Sequence, residues 1–141
     1  MAAQAPPLPP LPVVDDRDTG GFFEAAGRGE LVIRECLDCG FILHLPRAIC
    51  EQCHSSNTAW RTVRPRGRIY SYSTLERQAH PAFPAPYTVI LVELDDVPHA
   101  RLAGSLPGIP DIAIGMPVSG YFETVGDAPI LRWSLATGPD S

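Results

Sequence analysis

Two short segments decide how the first half of this chain folds: Cys36-Leu37-Asp38-Cys39-Gly40 and Cys50-Glu51-Gln52-Cys53-His54. Each contains two cysteines separated by two residues, and ten residues lie between the pairs. Two residues between ligands allow one tight turn to present both thiolates to a single ion. Gly40 supplies the left-handed backbone that such a turn often needs. His54 occupies the same place in the second turn, where it either adopts that conformation or is a spare ligand.

The four cysteines Cys36, Cys39, Cys50 and Cys53 are therefore predicted to hold one metal ion, zinc. Four thiolates complete a tetrahedral shell and leave no position for a substrate, so the predicted site is structural rather than catalytic. A ribbon of about 30 residues buries too little apolar surface to fold alone, so loss of the ion should unfold it. Two disulfides and an iron site like that of rubredoxin are the alternatives, and the red colour of a ferric site would reveal iron.

The composition sets the broad class of the protein. With 141 residues, 45% of them apolar, the chain is long enough to bury a core. Its formal net charge of −5 disfavours binding to nucleic acid or anionic membranes. No apolar run approaches the ~20 residues that cross a bilayer, and the segment from Met1 to Pro12 does not read as a secretion signal. We therefore expect a cytoplasmic protein with no membrane partner, a compartment in which paired cysteines bind metal.

The first 63 residues divide into an arm and a ribbon. Residues 1–18 are proline-rich and are predicted to form a disordered arm or linker. Residues 19–63 are predicted to contain one short helix and the zinc ribbon. Asp18 or Thr19 caps the helix, which stops at Gly27 and Gly29. Alternating apolar residues predict ribbon strands at 31–35 and 41–45, and a third at 60–63.

Residues 64–137 show the period-two pattern of β-strands, and residues 138–141 form a tail. Five strands are predicted, at 68–75, 87–94, 99–105, 117–124 and 130–135. Because no long helix is available to cross over between parallel strands, the pattern favours a small closed or nearly closed antiparallel barrel such as the OB-fold. The predicted fold is thus mainly β, with an N-terminal short helix, a rubredoxin-like zinc ribbon and a five-stranded antiparallel OB-fold barrel.

This arrangement resembles the acyl-CoA-associated zinc-ribbon/OB-fold proteins called domain of unknown function 35. The resemblance extends over nearly all of residues 20–136. It rests on the leading helix with Phe22-Phe23, on the two cysteine pairs with Pro46-Arg47 between them, and on five later motifs: Gly67-Arg68-Ile69-Tyr70-Ser71-Tyr72-Ser73, Pro86-Tyr87-Thr88-Val89, Val92-Glu93-Leu94, Gly115-Met116-Pro117-Val118 and Phe122-Glu123.

The resemblance implies a zinc-binding accessory subunit that is not an enzyme on its own. Such a subunit binds and supports a thiolase-superfamily enzyme acting on acyl-CoA, as part of an aldolase (lyase) or acyltransferase complex. The partner cleaves or forms the carbon–carbon bond, and some family members serve retro-aldol cleavage of steroid side chains. Some are fused or bound to an acyl-CoA hydratase domain, and the proline-rich arm suits a module beside one. A coenzyme A thioester is the candidate ligand.

Three arginines are candidates for binding the phosphates of coenzyme A. Arg64, Arg66 and Arg68 lie at the junction of ribbon and barrel, and strand alternation would place them on one face. Arginine makes charge-assisted hydrogen bonds to phosphate. The alternative is a solvated basic strand whose charges are paired with nearby carboxylates.

Five aromatic or imidazole side chains are candidates for partner binding. Phe22 and Phe23 are adjacent in the helix, so one packs on its own domain while the other faces the next element or a partner. His80, Phe83 and Tyr87 belong to a stiff, proline-rich loop that could dock on an enzyme and line an acyl channel. The alternative is a loop packed over the end of its own barrel.

Two other function classes are alternatives for a chain with this pattern. Zinc ribbons and OB-folds also bind nucleic acid, and Tyr70 and Tyr72, predicted on one strand face, could stack on bases or pack in the barrel wall. The acidic composition argues against nucleic acid. An independent acyl-CoA hydrolase or transferase is disfavoured because the chain has no nucleophile-elbow or P-loop motif. Asp95-Asp96 is interpreted as a turn rather than an acid/base pair.

Overall fold

The structure, a computed structural model, describes residues 8–136. These residues contain one helix and eight strands: α1 (Gly20–Gly27), β1 (Leu31–Cys36), β2 (Ile42–Leu43), β3 (Thr58–Val63), β4 (Arg66–Leu75), β5 (Tyr87–Leu94), β6 (Arg101–Pro107), β7 (Pro117–Val125) and β8 (Ala128–Leu135). The predicted order of helix, ribbon and five barrel strands is confirmed. The predicted tail and the first seven residues of the arm lie outside the described residues.

The first sheet is the ribbon, with strand order β2-β1-β3 and antiparallel pairing throughout. Leu31, Val32 and Ile33 are all buried, so both faces of β1 are covered at its start. Leu31 and Ile33, with Val63 opposite Leu31, belong to the same apolar cluster as the inward residues of the barrel. Ribbon and barrel therefore share one core at the base of the ribbon.

The second sheet has the strand order β6-β5-β4-β7-β8, again antiparallel. Burial in β5 alternates strictly, with Thr88, Ile90, Val92 and Leu94 pointing inward. Among the described residues no strand ladder joins β6 to β8, so the sheet is open rather than closed. We call the gap between these two edge strands the seam.

Trp133 of β8 fills the seam with its side chain. It is only 3% exposed, and a Cβ at Gly104 of β6 would overlap its Cδ1 atom. On the other side, a Cβ at Gly120 of β7 would lie 3.1 Å from its Cζ3 atom. The two glycines therefore make room for the indole, which brings β6 and β8 together by packing rather than by backbone hydrogen bonds.

A β-bulge in β4 corrects one prediction. The register with β5 passes from Ile69 opposite Val92 to Ser71 opposite Leu91, which leaves Tyr70 as the extra residue. A bulge shifts the alternation of side chains by one position. Tyr72 consequently shares the face of its partner Ile90, while Tyr70 lies on the outer face beneath the Arg101 guanidinium, 4.0 Å from the ring centroid. The prediction that both tyrosines share a face was wrong.

Both tyrosines are also 44% exposed, so neither is packed deep in the barrel wall.

The start of α1 is fastened to the ribbon. Thr19 is the N-cap residue, and its amide and hydroxyl groups donate to the Asp16 carboxylate at 2.6 and 2.7 Å. These two bonds hold the pKa of Asp16 below its usual value. The Asp18 carboxylate accepts a bond from the Ala48 amide at 2.8 Å, and the Asp18 carbonyl accepts one from Arg34 at 2.9 Å. No helix in residues 8–136 is long and apolar enough to span a membrane.

Replacing Gly104 by Val should lower the free energy of unfolding by about 1–3 kcal/mol, because the added atoms overpack the seam against Trp133. Urea denaturation followed by circular dichroism measures the change. Ala103→Val is the matched control, since Ala103 is the exposed neighbour on β6 and its change should stay within about 0.5 kcal/mol. Equal losses in both variants would contradict the packing of the indole against β6.

Candidate metal centre and interaction surfaces

The two cysteine turns have the same backbone geometry. The amide of Gly40 donates to the Cys36 carbonyl at 2.9 Å, and the amide of His54 donates to the Cys50 carbonyl at 2.8 Å. In each turn the first cysteine amide donates to a carbonyl five residues later, in Phe41 and Ser55. Gly40 and His54 both have positive φ, 76° and 64°. The interpretation of His54 as the second left-handed residue is therefore confirmed.

The four thiols of Cys36, Cys39, Cys50 and Cys53 converge. Their Sγ atoms all lie within 4.8 Å of one another, and two of the pairs are 3.6 Å apart. A disulfide needs about 2.05 Å, so the disulfide alternative is excluded. A tetrahedral zinc ion with 2.3 Å bonds to sulfur needs sulfurs about 3.8 Å apart, which this cluster matches. The residues present therefore fit a closed zinc site.

The four cysteines of the cluster differ in burial and in pKa. Cys36 and Cys50 are buried, whereas Cys39 and Cys53 are exposed. Hydrogen bonding from the backbone of Cys39 lowers the pKa of Cys36 to about 7. The backbone at Ser55 acts to lower the pKa of Cys53, but partial desolvation of the thiol and hydrogen bonding with the neighbouring cysteines outweigh it and raise that pKa to about 12. Four thiolates this close repel one another, and a divalent cation is what allows all of them to ionise together.

A polar bridge between the turns was not foreseen from the sequence. The Asp38 carboxylate accepts hydrogen bonds from the Ser55 hydroxyl and, at 3.0 Å, from the Asn57 side-chain amide. These bonds hold the pKa of Asp38 below its usual value. Asp38 lies in the first turn and its two donors follow the second, so the bridge clamps the turns to each other. No spacing rule connects residues this far apart in sequence.

The three candidate arginines do not behave alike. Arg64 lies before β4 rather than on it, and it makes a bidentate pair with Asp96, with Nη2 and Oδ1 2.8 Å apart. Hydrogen bonding from Arg64 lowers the pKa of Asp96 to about 2. Arg68 is on β4 and donates to the Gly115 carbonyl at 3.0 Å. Arg66 is half-buried on the same strand. The predicted common face holds for Arg66 and Arg68 but not for Arg64.

Phe22 and Phe23 line an apolar cleft of about 560 Å³ where helix, ribbon and barrel meet. The cleft also includes Leu45 of the ribbon and Leu102 of β6, and we call it the junction cleft. Phe22 packs against the barrel core, with its ring 6.4 Å from that of Phe122, as predicted for one of the two phenylalanines. The partner role of this pair stays a prediction.

His80, Phe83 and Tyr87 form a row at the other end of β4 and β5. The His80 and Phe83 ring centroids are 5.6 Å apart, and those of Phe83 and Tyr87 are 6.4 Å apart. Phe83 and Tyr87 line a second cleft, of about 520 Å³, that opens along the seam beside Trp133. We call it the seam cleft. The predicted partner residues thus fall at two separate places, and their partner role also stays a prediction.

Zinc removal should unfold the cysteine turns, because little apolar surface holds them once the ion is gone. Elemental analysis should find one zinc ion per chain, and chelation should abolish amide-exchange protection at the turns. Cys53→Ser should lower zinc affinity at least tenfold. His54→Gly is the control: it suits the positive φ and should retain the metal, so metal loss in that variant would show that His54 is a ligand after all.

Two family models match this chain, one over the ribbon and one over the barrel. Residues 23–59 match the family model described as the ChsH2 rubredoxin-like zinc ribbon domain, and residues 60–123 match the ChsH2 C-terminal OB-fold domain. The structure aligns with a solved chain described as "Ltp2-ChsH2(DUF35) aldolase", with a TM-score of 0.77, 34% sequence identity, and coverage of 86% of this chain and 97% of that one. A DUF35 protein of unknown function from Sulfolobus solfataricus shares the fold at 16% identity, with a TM-score of 0.59, covering 83% of this chain and 84% of that one.

Two curated relatives are much longer than this chain. The "Probable enoyl-CoA hydratase alpha subunit" of Thermomonospora curvata is 44% identical over 115 residues, which cover 79% of this chain and 34% of that protein. The "3-oxo-4,17-pregnadiene-20-carboxyl-CoA hydratase alpha subunit" of Mycobacterium tuberculosis is 29% identical over 119 residues, covering 83% and 37%. This chain spans about a third of the length of each. The two matched models and the solved relative show that the chain belongs to the ChsH2 (DUF35) family of zinc-ribbon and OB-fold proteins.

Proposed function

We propose that this chain is a zinc-stabilised, non-catalytic accessory subunit of a thiolase-superfamily enzyme that acts on acyl-CoA. The observation that carries the proposal is the match to the Ltp2-ChsH2(DUF35) aldolase, because this chain covers 97% of that solved chain at 34% identity. Almost the whole of that chain thus has a counterpart here. The closed thiolate site supports a scaffolding role, since four sulfurs leave no open position for a substrate.

The finer reaction class follows from the relatives. One solved relative is described as an aldolase, and one curated relative is named as a hydratase subunit for a pregnadiene carboxyl-CoA. Hydration of an enoyl-CoA gives a β-hydroxyacyl-CoA, which is what a retro-aldol cleavage consumes. We therefore assign to this chain a partner that performs such a cleavage, with a steroid side chain as the leading substrate class. An acyl-CoA hydratase domain is the second proposed partner.

Coenzyme A is the proposed ligand, at Arg66 and Arg68. Arg64 is a weaker candidate because its guanidinium is engaged with Asp96, and a phosphate would have to break that pair. Arg66 and Arg68 lie at the ribbon end of β4, where Arg101 adds positive charge that Glu93 partly offsets at 3.8 Å. This is a small basic cluster on an acidic chain, so it favours a compact anion over an extended nucleic acid.

Co-expression with a thiolase-superfamily enzyme from the same genome tests the proposed function. The two chains should elute as one complex in size-exclusion chromatography with light scattering. The complex should cleave its β-hydroxyacyl-CoA substrate at least tenfold faster than the partner alone. If the chains elute separately and the partner is fully active by itself, the proposal is wrong. Cleavage by this chain alone would contradict its non-catalytic role.

Phe83→Ala should weaken the complex at least tenfold if the loop that carries it is a docking surface, because exposed aromatic anchors dominate interface energies. The measurement is the dissociation constant by interferometry with immobilised partner. Ile114→Ala is the matched control, since Ile114 is 70% exposed on the loop between β6 and β7, away from the seam cleft. Equal affinities for the unaltered chain and Phe83→Ala would remove the loop from the interface.

Arg66→Gln combined with Arg68→Gln should lower the affinity for free coenzyme A at least tenfold in calorimetry at low salt, because phosphate contacts from arginine are charge-assisted. Arg28→Gln combined with Arg47→Gln removes the same charge from exposed positions elsewhere and should leave the affinity unchanged. The affinity of the unaltered chain should fall as salt rises. Equal losses in both double variants would indicate a general charge effect and no site at β4.

A further inference from the structure

The second cysteine turn has no strand of its own. The first turn is continuous with β1, which ends at Cys36, and it leads into β2, which begins at Ile42. The second turn lies within residues 44–57, and this segment between β2 and β3 contains no helix or strand. Its position relative to the first turn therefore depends on individual contacts and on the metal site rather than on a strand ladder.

The two turns are held together differently on their buried and solvent sides. On the buried side, Cys36 and Cys50 form a small apolar cluster with Leu43. On the solvent side, Cys39 and Cys53 are both exposed, so apolar burial contributes little there. Because four thiolates close the tetrahedral shell, release of a bound ion to solvent requires the turns to separate on this side.

Asp38, the neighbour of Cys39, bridges the solvent side. Its carboxylate accepts hydrogen bonds from the Ser55 hydroxyl and, at 3.0 Å, from the Asn57 side-chain amide. The backbone amide of Asn57 donates to the Ser55 hydroxyl oxygen at 3.0 Å, which fixes the two donors relative to each other. The Asn57 carbonyl accepts a bond from the Leu37 amide at 2.9 Å. Side chain and backbone therefore form one network that joins the two turns.

The bridge acts in the opposite direction to the charge of Asp38. A zinc ion held by four thiolates carries excess negative charge, and a carboxylate beside it is repelled. Removing the charge of Asp38 alone would thus favour the loaded site. Glu51 gives the second turn a carboxylate of its own, which is exposed and outside the bridge. The chain therefore contains a natural comparison between an acid with the bridge and an acid without it.

We propose that Asp38 is a positioning residue for the metal centre: through Ser55 and Asn57 it holds the solvent side of the second turn against the first, and this bridge sets the rate at which zinc is released. The inference goes beyond the proposed function, since it concerns retention of the metal and needs no partner enzyme. Its consequence is that loss of the bridge speeds zinc release even though it removes a repelling charge.

Transfer of zinc from the full, zinc-loaded chain to a chromophoric chelator tests the proposal, at chelator concentrations where release limits the rate. Asp38→Ala should release zinc about tenfold faster or more. Ser55→Ala combined with Asn57→Ala leaves every charge in place and should speed release to the same extent within about twofold. Glu51→Ala is the matched control for charge and should not speed release. Asp38→Asn retains an acceptor for Asn57 and should give an intermediate rate.

A triple variant distinguishes one bridge from separate losses of stability. When Asp38→Ala is combined with Ser55→Ala and Asn57→Ala, release should be no more than about twofold faster than in Asp38→Ala, because the three side chains act as a unit. The free energy of unfolding of the zinc-saturated barrel, followed in urea by the near-ultraviolet signal of Trp133, should stay unchanged, since Trp133 belongs to a different core cluster from Cys36 and Cys50.

Three results would overturn the proposal. Zinc release from Asp38→Ala at the rate of the unaltered chain would show that the bridge does not retain the metal. Equal acceleration in Asp38→Ala and Glu51→Ala would show an effect of charge alone. Fully multiplicative acceleration in the triple variant would show that the side chains act separately. If Asp38→Ala fails to take up zinc, Asn57→Ala alone decides the question, because it keeps the bond from Ser55 to Asp38, and an unaltered release rate in it would also contradict the bridge.

Discussion

The outer half of the ribbon is built around four converging cysteine thiols rather than around a large apolar cluster. The buried cluster there consists of Cys36, Leu43 and Cys50, so two of its three members are thiols. The base of the ribbon is different, because Leu31 and Ile33 belong to the barrel core. A single strand, β1, therefore has one end in the shared core and the other end at the metal site. A metal ion held by the four thiolates would fix the orientation of the turns, whereas the core fixes the orientation of the ribbon on the barrel.

Local patterns in the sequence were sufficient for the elements of the fold. The cysteine spacing predicted the metal site because its ligands lie in two short turns. Alternation predicted all five barrel strands, and it is complete in β5, where half-buried and buried residues take turns along the whole strand. Asp18 or Thr19 was predicted to cap the helix; Thr19 is the N-cap residue, but its side chain makes no capping bond to α1 and donates to the Asp16 carboxylate instead. The bulge at Tyr70 was missed, since one extra residue in a strand leaves the composition of that strand unchanged.

Contacts between residues distant in sequence were beyond prediction. Arg64 and Asp96 are 32 residues apart, and the bidentate pair between them depends on how the β5–β6 turn meets the end of the ribbon. The sequence offered two interpretations of the arginine run, phosphate binding or pairing with carboxylates. The structure divides the run between them, because Arg64 is paired while Arg66 and Arg68 lie on β4. A run of arginines in the sequence therefore shows which charged side chains are present, and only the fold determines which of them is paired with a carboxylate.

An open barrel leaves two strand edges that must be protected, because exposed edges invite pairing with other chains. At the seam this protection comes from side chains: the Trp133 indole packs against Gly104, and the loop carrying Phe83 and the arm carrying Pro9 line the same cleft. Protection by side chains is reversible in a way that a closed ladder is not, since a loop or an arm can be displaced without breaking strand pairing. The proposed role as an accessory subunit would need a surface of this kind, stable while alone and able to exchange its own segments for those of an enzyme. The seam meets that requirement, whereas the thiolate centre, with all four ligand positions filled by protein, can only hold its shape.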